Sequence, residues 1–175
     1  VMDFRKLRLR CEARLEELDL PIPFSARTLC SMLEDKRGRP IVLRPVTSTA
    51  GPWGLWVALP GADLIFFEQA TTPLHQEHII LHELCHLVCD HHAPTIAPAE
   101  VHQLLFPDLQ FETIERVLRR AGYMGEEEQE AEILASLILE RFPLADSNEE
   151  MGSDPKDAEL LKRLASSLET TREEH

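Results

Sequence analysis

One pentapeptide carries more chemical potential than the rest of the chain: His82-Glu83-Leu84-Cys85-His86. Four residues of α-helix advance about 400°, so the two imidazoles project from one face, one turn apart. Both rings can then reach a single Zn²⁺ at about 2.0–2.1 Å. Glu83 lies about 100° further round the helix. It is close enough to touch a water held at such an ion without ligating the ion itself. A carboxylate there can take the water's proton as it attacks a carbonyl. The setting sharpens the reading. Ile79 to Val88 is otherwise apolar on nearly every side, and ionisable groups on a buried helix need partners, which a metal supplies.

A catalytic zinc centre takes three protein ligands and keeps one position open. Acidic residues crowd the stretch before Leu134, and helical phase separates them. Glu130 shares a face with Leu134, Leu137 and Ile138, so it points into the core. Glu128 and Glu132 share the opposite face with Ser136 and Glu140. Glu126 and Glu127 fall in a first turn, where the helix dipole already favours acid. Glu130 is therefore the expected third ligand beside His82 and His86. Rivals exist. His92 lies ten residues after His82, the HExxHxxGxxH spacing, but Cys89 stands where that motif turns on a glycine, and no Met-turn follows. Cys89 shares the face of the two histidines and could ligate as thiolate, although a small buried hydrophobe is the commoner role for such a residue. His75 and His78 lie upstream along the same face and could line the cleft, although a solvated first turn is the favoured reading. Whether Cys89, His91 or His92 touches the metal stays open. Charge developing in a reaction needs a donor, and Tyr123, in a loop bracketed by Gly122 and Gly125, is one candidate. His91 and His92, at the other end of the site, are the others.

These residues need a scaffold, and the hydrophobic pattern supplies one. Phe4, Leu7, Cys11, Leu15 and Leu18 recur at helical spacing before Pro21 and Pro23. Ser25 is a plausible N-cap for a second helix that ends near Gly38 and Pro40. Three short β-type runs follow, Ile41 to Val46, Leu55 to Leu59 and Leu64 to Glu68, separated by Gly-Pro and Pro-Gly turn chemistry. They suggest a small antiparallel sheet. Pro73 to about Asp90 is a buried helix, Phe111 to Ala121 a shorter one, and Glu126 to Phe142 a strongly apolar one stopped by Pro143. Asp154 and Pro155 open a last helix with Leu161, Leu164, Ala165 and Leu168 as its stripe. The expected fold class is α+β. It comprises a single domain over 1–145 (helices in 1–38, the sheet in 40–69, the zinc-site helices in 73–142), a linker at 146–155 and a C-terminal helix at 156–175.

The chain has 175 residues and a net charge of −13, unevenly placed. Residues 1–60 hold ten basic and seven acidic side chains, whereas 61–175 hold eight and 24. A surface so acidic repels phosphate backbones, which argues against direct nucleic-acid binding by the C-terminal part. Four cysteines without secreted-type spacing argue against a disulfide scaffold. With no signal-like start and no apolar run near the ~20 residues that span a bilayer, a reducing, cytoplasmic setting is expected.

Two stretches resemble a known family. Gln76 to His91, with HELCH and a histidine just past it, is similar to the ImmA/IrrE family of zinc-dependent metallopeptidases. Gln129-Glu130-Ala131-Glu132-Ile133-Leu134-Ala135 resembles that family's E-A-N-x-F-A stretch. The resemblance spans roughly residues 20–142 and is specific only at these motifs. It implies a minimal zincin, gluzincin-like, with His82, His86 and Glu130 as zinc ligands and Glu83 as base. It departs at Cys85, where a small residue is usual, at Glu132, where Asn is usual, and in a long 44-residue gap between His86 and Glu130. No helix-turn-helix segment is evident. The implied function is that of a zinc endopeptidase that cleaves a separately encoded helix-turn-helix repressor and so relieves repression. The alternative is a non-catalytic binding module, or a toxin–antitoxin component, on the same zinc-site fold.

Overall fold

The computed structural model describes residues 3–47, 53–106, 111–120, 125–145 and 154–173, the last of these with side chains through 167. Tyr123 and Gly122 lie outside the described residues, as do 146–153 of the expected linker. The architecture is α+β. Helices α1 (Phe4–Leu18) and α2 (Ala26–Arg37) precede strands β1 (Ile41–Val46), β2 (Gly54–Leu59) and β3 (Ala62–Glu68). Helices α3 (Pro73–Val88), α4 (Pro98–Leu105), α5 (Phe111–Arg120), α6 (Gly125–Arg141) and α7 (Pro155–Glu173) follow.

Local chemistry sets the boundaries. The Asp3 side chain caps α1 by accepting from the N–H groups of Arg5 and Lys6. Ser25 caps α2 through Thr28 N–H, and α2 ends at Gly38, whose φ of 64° favours a residue without Cβ. On α1 only Leu7, Cys11 and Leu15 of the apolar stripe are buried, and Phe4 is exposed.

The expected antiparallel sheet is corrected to a mixed one. Its order is β1–β3–β2, with β3 parallel to β1 and antiparallel to β2. A simple meander would have put β2 in the middle. β3 takes that place because every residue from Ala62 to Glu68 is buried, and only a central strand with both faces covered satisfies such a run. Alternate side chains then feed two cores. Ile41, Leu43, Trp56, Ile65 and Phe67 pack towards α1, α2, α3 and α6. Val42, Leu55, Val57, Leu64 and Phe66 pack towards α4, α5 and α7. Buried Asp63 ties the sheet's end to the loop before it. It pairs with Arg39 at 3.0 Å and Arg37 at 3.4 Å, and accepts from the Trp56 indole at 3.0 Å.

The segment at Ala145 closes on Phe24, whose carbonyl accepts from Ala145 N–H at 2.8 Å. Helix α7 opens at Asp154, whose carboxylate accepts from Lys156 N–H, and lays Leu160, Leu161, Leu164 and Ala165 on the second core. The four cysteines are buried and unpaired. Among the described residues no helix is long and apolar enough to cross a membrane.

Candidate metal centre

Helix α3 carries the pentapeptide through the first core. Thr72 caps it by accepting from His75 N–H, and Pro73 sits in its first turn. Ile80, Leu81, Leu84 and Leu87 anchor it. After Cys89 the chain bends at Asp90, whose φ is 55°, and His91 N–H closes onto the His86 carbonyl at 3.0 Å. That turn brings the His91 ring back inside.

His82 and His86 meet as the spacing predicts, their Nε2 atoms 3.3 Å apart. A carboxylate from α6 joins them, and it belongs to Glu128. Its Oε1 is 3.0 Å from His82 Nε2 and its Oε2 is 3.5 Å from His86 Nε2. Four bonds of about 2.05 Å in a tetrahedron place donor atoms roughly 3.3 Å apart. Each separation lies near that value, the two from the carboxylate running to different oxygens, so the donor set fits a metal ion held by two imidazoles and one carboxylate. His86 is fully buried, His82 partly so, and Glu128 stands at the solvent rim.

Glu130, the expected third ligand, is not brought to this group. The inward direction read from its helical face holds, since Glu130 is 5% exposed, but inward here means towards α1. Arg10 grips it through Nε to Oε1 at 2.8 Å and Nη2 to Oε2 at 3.1 Å, and Arg14 lies 3.5 Å away. His91 Nε2 is 3.1 Å from the other side. Cys89, His91 and Glu130 thus form a second, wholly buried group of metal-ligand types. A ligand at an open centre need not be buried, so the place of Glu128 at the rim is compatible with that role.

Glu83 lies beside the histidines and is turned to the sheet. Its Oε2 accepts from Trp56 N–H at 3.0 Å, while Oε1 packs over Gly54, where a Cβ would come within 2.7 Å of it. Glycine at 54 is what lets β2 pass this close. Burial pushes the Glu83 carboxyl up to about 7, against the opposing pull of His82. Burial lowers the His86 imidazole. At His82 burial also lowers, but the carboxylates of Glu128, Glu83 and Glu132 outweigh it, and the net shift is upward. Hydrogen bonds from both histidines hold Glu128 well below the usual carboxylate range.

The group opens into a cleft of about 390 Å³ lined by Trp53, Gly54, His75, His78, Ile79 and Glu132 as well as His82, Glu83 and Glu128. His75 and His78 are rim residues; His75 bonds Thr71 at 3.0 Å. His92 is exposed and, among the described residues, pairs with Glu127 at 3.4 Å. A larger groove of about 570 Å³, between β1, α4 and α7, is lined mainly by apolar side chains and lies away from these groups. Arg10, Arg14 and Gly54 are the residues that sequence reasoning missed. The first two form an i, i+4 pair flanking buried Cys11, a spacing that marks a shared face without naming its partner. Comparison with known protein families, with curated proteins and with solved structures finds no match for this chain.

Proposed function

We propose that this chain is a zinc-dependent endopeptidase, with His82, His86 and Glu128 holding the ion and Glu83 as general base. The observation that carries the proposal is the spacing of 3.0, 3.3 and 3.5 Å among two imidazole nitrogens and the two oxygens of one carboxylate, close to that of donors round a tetrahedral ion, beside a second acidic group, Glu83, that does not join them. Bound zinc would polarise a substrate carbonyl and lower the pKa of a coordinated water towards ~7. Glu83 is held in the lining of the same cleft by Trp56 N–H, where its carboxylate can take a proton from an attacking water and deliver it to the leaving amine. Strand β2 is an edge strand among the described residues and runs beside Glu83, so an extended peptide can add to it by backbone hydrogen bonds. The substrate class follows from the family resemblance of the two motif stretches: a separately encoded helix-turn-helix regulator.

The test is co-expression of the chain with the regulator encoded beside its gene. Wild type should yield a discrete fragment, and Glu83→Gln should leave the regulator intact while zinc content and folding persist. Loss of general-base help typically costs 10²–10⁴-fold in rate, so ~10² is the least expected here. If wild type and Glu83→Gln relieve repression equally without a fragment, the protein acts by binding and the peptidase reading fails.

A further inference from the structure

The two groups of metal-ligand residues touch at one bond. His86 Nδ1 lies 2.8 Å from His91 Nδ1. To ligate through Nε2, a neutral His86 must carry its proton on Nδ1. That proton points at His91 Nδ1, 2.8 Å away, which is then the bare, accepting nitrogen. His91 in turn carries its proton on Nε2, 3.1 Å from Glu130 Oε2. Glu130 is ionised between the guanidinium donors of Arg10 at 2.8 and 3.1 Å and can only accept. The sequence of donors therefore has one direction, from His86 to His91 to Glu130, and the three groups are 0, 8 and 5% exposed. The other histidine has a shorter version: His82 Nδ1 lies 3.2 Å from Glu132.

We propose that His91 is a positioning residue that fixes the tautomer and ring orientation of His86, anchored through Glu130 to Arg10 on α1. The inference rests on the metal reading above and deepens it. It also assigns the second buried group. As an independent metal site, Cys89, His91 and Glu130 would need a bare His91 nitrogen aimed at the ion and a carboxylate free to ligate. Here both His91 nitrogens already face partners, and Arg10 and Arg14 place two positive charges against the carboxylate that would have to ligate the cation.

Outer-shell partners of metal-bound histidines typically contribute 10–100-fold in metal affinity. His91→Gln supplies an amide oxygen where the ring accepts and an N–H where it donates, whereas His91→Phe keeps the volume and supplies neither. Zn²⁺ affinity, read by competition with a chelating indicator, should fall about 10–100-fold in His91→Phe and largely recover in His91→Gln. Cys89→Ser should leave it unchanged, with one ion per chain. In zinc-loaded protein the ring spectrum should show the His86 Nδ1–H as a hydrogen-bonded signal protected from exchange in wild type and His91→Gln. In His91→Phe that protection should be lost. Should His91→Phe fail to fold, Arg10→Met unclamps Glu130 from the half-exposed end and should weaken Zn²⁺ by a smaller factor. Unchanged affinity and an unchanged His86 Nδ1–H signal in these variants would overturn the positioning role while leaving the metal centre standing. Two ions per chain, with Cys89→Ser losing one, would replace the relay with a second metal site. Wild type that takes up no Zn²⁺ would overturn the metal reading itself, and the relay's purpose with it.

Discussion

Glu128 and Glu130 stand two residues apart on α6, about 200° round the helix from one another, and that angle separates their tasks. One reaches over the solvent rim to both Nε2 atoms, and the other turns inward to Arg10. Glu128→Ala removes a donor atom from the ion and should abolish tight Zn²⁺ binding. Glu130→Gln removes only the charge at the end of the relay and should cost about tenfold, the lower end of the outer-shell range. Zinc titration of both variants checks this, and a larger loss in Glu130→Gln would return the ligand assignment to Glu130. The pairing of His82 with His86 was legible because an i, i+4 spacing is a local property of the helix. So was the burial of Glu130, through its companions Leu134, Leu137 and Ile138. The partner it is buried against was not, because Arg10 lies 120 residues away and periodicity says nothing about which helices meet. Glu128 was set aside because it shares the outward face with Glu132, Ser136 and Glu140, and helical phase cannot show that the rim it faces is the mouth of a cleft.

At the scale of elements, the site depends on how closely β2 passes α3. An added Cβ at Gly54 would sit 2.7 Å from Glu83 Oε1 and 2.8 Å from Ile79 Cγ2. Gly54→Ala should therefore displace the Glu83 carboxylate and cut regulator cleavage by about 10²-fold, the scale of a 1 Å misplacement. Zinc content should hold, because no ligand is touched. Equal cleavage rates would show that Glu83 tolerates the shift. The sheet itself turns on Asp63. Asp63→Ala leaves the buried Trp56 indole N–H without its acceptor and two arginines without their carboxylate. Breaking such a buried pair costs about 3–5 kcal/mol, measurable by urea unfolding. A loss below about 1 kcal/mol would class it with exposed pairs. The three strands and their limits could be read from apolar runs and turn residues. Their order could not. Local pattern does not say which strand is central; that β3 sits between β1 and β2, parallel to one and antiparallel to the other, is decided by the crossover from β1 to β3.

On the scale of the whole molecule, the sheet is covered on both faces, and α7 completes the second. Its docking brings acid together. Asp157, in the first turn of α7, faces β1 and α2, where Leu43 N–H donates to it. Asp154 and Glu34 oppose its charge, and Arg27 supports it. Lys156 and Arg163 line the same groove. Burial, more than any neighbour, pushes the Asp157 carboxyl up to about 6, against about 3.9 for a free aspartate. Between those values the folded chain holds a proton that the unfolded chain has released. Stability therefore falls as pH rises wherever the folded state binds the extra proton. The contribution is fully present below about pH 4 and lost as pH passes about 6. Asp157→Asn keeps a side chain that can accept from Leu43 N–H and never ionises, so it isolates this group from the rest of an acidic chain. Thermal midpoints of the two proteins should coincide near pH 4 and separate as pH rises through 6, with wild type the less stable above it. Midpoints that run parallel across this range would mean that α7 docks with Asp157 already in water.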